Sequence, residues 1–332
     1  MDLLLSLPLV STLLTPSWST SINILFFYAT WSTLVLTNDA STIHGTALLA
    51  LRIVIWLAPS LLFLAFDSLV PSLSTSIKFV GAASIPRKPL RLLSLAVSNM
   101  LLVTGVESAL AYGTKYATGH TLFRTTTTLP LPWQLFKHII IMLTARETLT
   151  YYIHRFLLHD SHRSHTLTRL HTRWGHANQC SSIGLYADHP LPLLMLRLVP
   201  ILLPALALRP HLLTYMLFTA VCTVESTVGN SGYSVVPGIL LGGIARRTAA
   251  HYASGGKANY GTWGVLDWVH GTSRGGDIMA DVRDEADKHN VKDRSARKVD
   301  EGVGVLQGGV DALKNGADVR KSGRKRGKGT SQ

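Results

Sequence analysis

Several apolar runs in this chain are long enough to cross a bilayer, and they constrain its fold more than any other feature. Residues 21–37 and 46–66, a run from Leu92 to about Tyr112, a fourth beginning near Leu131, and two more over 191–208 and 212–228 can span roughly 30 Å of hydrocarbon as helices. The fold class expected is therefore all-α, a multi-span integral membrane helical bundle. A hydrophobic content of 47% over 332 residues agrees, being too high for an ordinary soluble domain. The opening stretch M-D-L-L-L-S-L-P-L-V has no basic residue ahead of its apolar run and reads as a membrane-associated lead-in rather than a cleaved signal.

Charge placement predicts how the spans are threaded. The loop T-N-D-A-S-T-I-H-G contains neither Lys nor Arg, whereas the next loop carries Lys78, Arg87, Lys88 and Arg91. The positive-inside rule puts the second loop in the cytosol, and the chain from His154 to His189, together with the C-terminus, emerges on that side. The net charge of +13 is assigned to orientation and anionic head groups rather than to nucleic acid, which is not an expected partner. Beyond about residue 280 the composition turns to mixed charge and ends in R-K-S-G-R-K-R-G-K-G-T-S-Q, a solvated and partly disordered tail by composition. Three regions follow: an N-terminal transmembrane region over 1–129, a central domain over 130–272, and the charged tail over 273–332.

The polar residues narrow the chemistry. Only two cysteines occur, Cys180 and Cys222, with no Cys-x-x-Cys pair, so neither a disulfide framework nor a thiolate metal site is indicated. The first 280 residues hold ten carboxylates, too few for a soluble carboxylate-bridged di-iron bundle. Histidine is the abundant ligand type: of 14 in the chain, eight lie between His138 and His189. Clustered imidazole beside apolar helices suggests a metal site. On a continuous helix His154 and His165 would share nearly one face, with His159 and His162 on an adjacent stripe. His171 and His176 follow in H-T-R-W-G-H, His189 precedes a proline in Y-A-D-H-P, and His251 lies in A-A-H-Y-A-S-G-G-K-A-N-Y-G. That last stretch is no phosphate loop, because the G-x-x-x-x-G-K-[ST] pattern is missing.

The order H-R-F-L-L-H, H-T-R-W-G-H, Y-A-D-H-P, N-S-G-Y, A-A-H-Y-A-S-G-G-K-A-N-Y-G, D-W-V-H-G-T resembles the fatty acid hydroxylase and sterol desaturase superfamily, over roughly residues 130 to 272. The resemblance implies an integral membrane enzyme of the endoplasmic reticulum with a histidine-coordinated di-iron centre on the cytosolic side. It implies O2 as co-substrate, electrons from cytochrome b5 or a reductase, and a lipid, sterol or terpenoid substrate that is hydroxylated or desaturated. On this basis His154 and His159 correspond to the first histidine box, His171 and His176 to the second, His189 to the intermediate His-Pro, and His251 to the last. Asn259, Tyr260, Gly261, Asp267, Gly271 and Thr272 match the end of the pattern, in structural roles.

The chain also departs from the pattern. The second box usually reads His-x-x-His-His, whereas here Trp174 and Gly175 precede His176. Asn230 stands where H-S-G-Y is usual, and the last box keeps a single histidine. A di-iron centre of this type takes roughly eight or more imidazoles, so His162, His165, Asp188 and Glu225 become candidates for the remaining positions, and a site holding one metal or none stays open. Two other functions stay open with it: an inactive relative that binds lipid or acts as a membrane scaffold, and a non-oxidative isomerase or hydrolase using one metal or a general-base histidine. His44, His120, His138, His211, His270 and His289 read as surface or interfacial residues. Trp133, Trp174, Trp263 and Trp268 fit an interfacial belt, and Arg155, Arg246 and Arg247 either reach head groups or pair with Glu107 and Glu225.

Overall fold

The structure, a computed structural model, describes residues 18–160, 162–177, 180–276 and 278–288. The N-terminal lead-in and most of the charged tail, His289 included, lie outside the described residues. Among the described residues there is no strand, only two isolated bridges, Lys78 with Tyr233 and Arg124 with His211. Hydrogen bonding is closed within helices, as hydrocarbon requires of segments that cross it. The all-α membrane bundle expected from the apolar runs is the fold observed.

Among the described residues, four helices have the length and apolarity to cross a membrane: α2 (Ala40–Leu69), α3 (Pro89–Thr118), α6 (Pro190–Leu208) and α7 (Leu212–Gly229). Helix α1 (Trp18–Thr37) contributes a shorter apolar stretch, Leu25–Thr37. Helix α4 (Pro132–Ile153), expected to be a span, carries Lys137, Arg146 and Glu147, and falls outside the four. It packs along α6 and α7 with Arg146 and Glu147 buried, while α2 packs on α3. The remaining helices relevant to the site are α5 (His165–Trp174) and α8 (Gly243–Ala253).

The ends of these helices are written locally. Proline occupies the first turn of α3, α4 and α6, where its missing N–H costs nothing. The Asp39 carboxylate caps α2 by accepting from the Ser41 N–H at 2.9 Å. Gly119, at φ +71°, closes α3 in the left-handed conformation that glycine adopts without strain.

Burial follows membrane rather than aqueous logic. Leu62, Leu69 and Leu90 point outward, each at least 70% exposed, while charge is drawn inward. Buried Arg52 pairs with Glu107 at 2.7 Å, Lys78 with Asp67 at 2.5 Å, and Arg146 with Glu225. The partners of Glu107 and Glu225 are thus Arg52 and Arg146, not Arg155, Arg246 or Arg247. His44 and His211 are buried rather than interfacial: His44 lies 3.5 Å from Glu107, and His211 caps α7 by accepting from the Leu213 N–H. Trp133, Trp174 and Trp268 are exposed, but Trp263 is turned inward and donates its indole N–H to Glu225.

Two compact units are distinguished, Met1–Ile278 and Met279–Gln332. In the second, the described structure is the part of the helix Ile278–Lys288 from Met279 onward.

Candidate metal centre

The histidine-rich stretch does not continue α4 as a regular helix. At His154 the helix widens into a π-turn, His154–Leu158, and at His159 the backbone leaves helical geometry with φ −121° and ψ −5°. Helical structure resumes only at His165. The helical-wheel expectation, with His154 and His165 on one face, is overturned by this break. What the break achieves is to turn His159 back toward His154, their rings 4.9 Å apart.

Helix α5 then supplies His171, and the turn after it supplies His176. The ligand-capable atoms of His154, His159, His171 and His176 all lie within 4.8 Å of one another. His251, from α8, completes the group, with its ring 4.6 Å from His154, 4.9 Å from His176 and 5.0 Å from His159. Five imidazoles from three parts of the chain thereby face one point.

Hydrogen bonds at the far side of the rings fix which nitrogen faces inward. A carbonyl or carboxylate oxygen can only accept, so the ring nitrogen opposite it must carry the proton. His154 Nδ1 donates to the Tyr260 carbonyl at 2.9 Å, His251 Nδ1 to the Ala258 carbonyl at 2.6 Å, and His171 Nδ1 to Asp188 Oδ2 at 2.5 Å. Each of these rings therefore presents an Nε2 lone pair to the interior. Nε2 of His171, Nε2 of His251 and Nδ1 of His176 are buried without a hydrogen-bond partner, which is costly for polar atoms unless a ligand meets them. His159 and His176 approach through their Nε2 atoms at 3.3 Å.

Burial also keeps the rings of His154, His159, His176 and His251 neutral. Desolvation, reinforced by the neighbouring imidazoles, holds His154 and His159 well below the ordinary histidine range and lowers His176 to about 3. His251 is lowered to about 4, chiefly by desolvation, against the opposing hydrogen bond to Ala258. Neutral imidazoles with converging lone pairs are the state in which histidine ligates a transition metal.

The surrounding loop explains the roles of the matched C-terminal motif. Asp267 is fully buried and accepts from the Tyr260 N–H at 2.9 Å, the Gly261 N–H at 2.7 Å and the Thr272 hydroxyl at 2.7 Å. Glu147, from α4, accepts from the N–H groups of Thr262 and Trp263. Asn259 takes a positive φ of 57° and ties the loop to Arg274. Together these contacts place the Ala258 and Tyr260 carbonyls behind His251 and His154. On the opposite side Asn99, from α3, donates to the Tyr186 and Asp188 carbonyls at 2.8 and 2.7 Å and so sets Asp188 behind His171. Asn99, Glu147 and the orienting role of Asp188 were not found by sequence reasoning. The one signal available was an amide and a carboxylate inside apolar helical runs.

Three other histidines named from the sequence lie apart from the cluster. His162 and His165 are exposed on the segment leading into α5. His189 caps α6, its Nδ1 accepting from the Leu191 N–H at 3.3 Å, with its ring 5.9 Å from Trp174. Glu225 and Asp188 line the same cavity as the histidines but are engaged by Arg146 and His171 respectively. Asn230, at the position where a histidine is usual, also lines the cavity.

Residues 139–272 match the fatty acid hydroxylase family. No solved structure matches the chain. The fatty acid hydroxylase segment begins inside α4, ends at Thr272, and contains all five clustered histidines, in agreement with the superfamily resemblance carried by the motifs.

Proposed function

We propose that the chain is a membrane-bound, O2-dependent lipid, sterol or terpenoid hydroxylase or desaturase whose iron is held by His154, His159, His171 and His176, with His251 as a fifth ligand. The observation that carries this reading is the convergence of unpartnered imidazole nitrogens inside a segment matching the fatty acid hydroxylase family. Five imidazoles fit one metal ion better than two, since His162, His165 and His189 are directed elsewhere and the nearest carboxylates are occupied. When bound, iron supplies the activation of O2 needed at an unactivated C–H bond.

The residues of this chain do the rest. Asp188 and the carbonyls of Ala258 and Tyr260 hold a proton on Nδ1 of His171, His251 and His154, which keeps those three Nε2 lone pairs aimed inward. Leu185, Leu193, Leu196 and Ile244 form an apolar wall of the cavity, where they orient a hydrophobic substrate and exclude water. Cytochrome b5 or a separate reductase is the proposed electron donor. The endoplasmic reticulum is the proposed location, with the histidines and the C-terminus on the cytosolic side, as the placement of Lys78, Arg87, Lys88 and Arg91 supports when α4, packed along α6 and α7 with Arg146 and Glu147 buried, crosses with them.

The deciding measurement is metal per chain by mass spectrometry on full-length protein purified in mild detergent after iron-supplemented expression, beside a His154→Ala/His171→Ala variant. About one iron per wild-type chain, lost in the variant, is expected. A folded, metal-free wild type would shift the function to lipid binding or scaffolding. A single zinc, with turnover independent of O2 and reductant, would assign a non-oxidative isomerase or hydrolase, which the five-imidazole count also accommodates.

A further inference from the structure

Two segments that do not themselves cross the bilayer expose large apolar side chains. The first begins at the end of α2 and exposes Leu69, Leu73 on the short helix Pro71–Ser76, and Phe79. The second, S-V-V-P-G-I-L-L-G-G, links α7 to α8 and exposes Val235, Ile239 and Leu240. Each of these side chains is at least 39% exposed. Hydrogen bonds hold the two segments side by side. The Ser234 N–H donates to the Ile77 carbonyl at 2.8 Å, the Phe79 N–H to the Gly232 carbonyl at 3.0 Å, and the Tyr233 hydroxyl to Asp67 at 2.7 Å, where Lys78 also binds.

The surroundings indicate what covers this surface. It continues the outward-facing side of α2, where Leu62 is 70% exposed, and the chain running on from Phe79 reaches Arg87, Lys88 and Arg91, all exposed. Apolar residues followed by cations give the layering of a bilayer interface, acyl region first and head groups next. The second segment is too short to cross, since a spanning helix needs about 20 residues. It turns back instead: a β-carbon at Gly242 would stand 2.7 Å from the Val236 carbonyl oxygen, so the chain doubles on itself there. The π-turn Gly238–Gly242 keeps backbone hydrogen bonds internal, as immersion in acyl chains requires.

The second segment also borders the histidine cavity. Ile244 and Thr248 of α8 and Leu193 and Leu196 of α6 line that cavity, yet α8 packs on α7 and on the Gly238–Gly242 turn, with no comparable packing on α6. The side between α6, a spanning helix, and α8 is thus left without helix packing, and the exposed apolar turn enters α8 beside it. We infer that residues 69–79 and 234–242 form one shelf embedded in a single leaflet, and that a hydrophobic ligand reaches the histidine cavity from that leaflet, between α6 and α8, rather than from water. The entry route deepens the proposed lipid-oxidising function and rests on it for its meaning; the embedding stands without it.

Full-length protein reconstituted in phosphatidylcholine nanodiscs tests both parts. Cys180 and Cys222 are buried, so a thiol-reactive, polarity-sensitive fluorophore reports on an introduced cysteine alone. Leu240→Cys and Leu73→Cys are compared with Val54→Cys, exposed within α2, and Arg169→Cys, exposed on α5. Emission from Leu240→Cys and Leu73→Cys is expected to be blue-shifted from that of Arg169→Cys. It should also be quenched more by nitroxide near the lipid head group than by nitroxide near the chain end, with Val54→Cys showing the reverse order. Water-like emission overturns the embedding, and so does blue-shifted emission that lipid nitroxides fail to quench, because a second copy or another protein would then cover the face. For the entry route, Ser226→Cys, inside the cavity, is challenged with an alkyl maleimide dissolved in the lipid and a sulfonated maleimide in the water, each rate normalised to that of a free thiol in the same phase. The lipid-borne reagent is expected to react at least about tenfold faster, and Leu240→Asp to remove that advantage without changing the rate of the sulfonated reagent. Equal or faster reaction from water, or an advantage that survives Leu240→Asp, overturns entry from the leaflet. The fluorescence comparison uses exposed positions and stands even if Ser226→Cys does not fold. Neither metal nor turnover enters these measurements, so failure of the oxidative reading would leave both results readable, and failure of the shelf would leave metal binding untouched.

Discussion

Single atoms decide whether five histidines become a site. The Asp188 carboxylate holds His171 in the tautomer that presents Nε2, so Asp188→Asn is expected to lower metal affinity by about 10- to 100-fold with little loss of fold, measured by chelator competition. Gly256 is a second such point. Its φ is +79°, and a β-carbon there would overlap the His159 ring, whereas Gly255, at φ +66°, has open space on that side. Gly255→Ala carries only the backbone cost of about 1–2 kcal/mol. Gly256→Ala carries that cost and also displaces His159, so metal occupancy falls in the second variant alone. Similar metal content in the two would remove Gly256 from this role.

Proton binding at these rings sets a pH dependence with a definite sign. Unfolded, the imidazoles titrate near about 6.5, but in the folded protein His251 is lowered to about 4 and His176 to about 3. Below about pH 6.5 the unfolded chain therefore binds more protons than the folded one, and the stability of the metal-free protein falls as pH drops toward 4. Thermal unfolding of chelator-treated protein between about pH 8 and pH 4 checks this, and a midpoint constant across that range would contradict it.

At the scale of elements, the loop over residues 258–272 acts as the back wall of the site. Its only regular structure is the short helix Val265–Val269, and its shape depends on two buried carboxylates, Asp267 and Glu147. Asp267→Ala leaves two backbone N–H groups and one hydroxyl without their acceptor. It is expected to cost about 2–4 kcal/mol and to release the carbonyls behind both His154 and His251. Metal binding should then weaken together with thermal stability, whereas His162→Ala or His165→Ala, both exposed, should leave both unchanged. The break after α4 belongs to the same scale. A π-turn followed by a non-helical His159 makes His154 and His159 neighbours, a juxtaposition that a regular helix would not give.

At the scale of the whole molecule, buried ion pairs tie the helices of the bundle together while leucines such as Leu62, Leu69 and Leu90 face outward. The Arg146–Glu225 pair ties α4 to α7 beneath the histidine cavity, and Trp263 binds the same carboxylate. Glu225→Ala should destabilise the bundle by about 3–5 kcal/mol, because it strands a buried guanidinium; the loss is read as a lower unfolding midpoint in detergent. Replacing both partners by apolar residues of similar size should recover much of it.

What the sequence determined by itself was everything governed by local pattern. Run length and apolarity set the helical bundle, proline placed the starts of α3, α4 and α6 and Gly119 the end of α3, and the order of the motifs pointed to a fatty acid hydroxylase-like segment over roughly residues 130–272, of which 139–272 match the family. Tertiary structure decided which histidines meet. His162, His165 and His189 carry the same side chain as His171 and lie close to it in sequence, yet they face solvent or cap a helix. His251, 80 residues beyond His171 by numbering, packs into the cluster because α8 and the Asp267 loop bring it there. Ion-pair partners were equally illegible: Glu107 and Glu225 needed a cation, but nothing local distinguished Arg52 and Arg146 from Arg155, Arg246 and Arg247. A lone pair's direction and a charge's partner depend on contacts between segments far apart in the chain, and those contacts exist only once the bundle has closed.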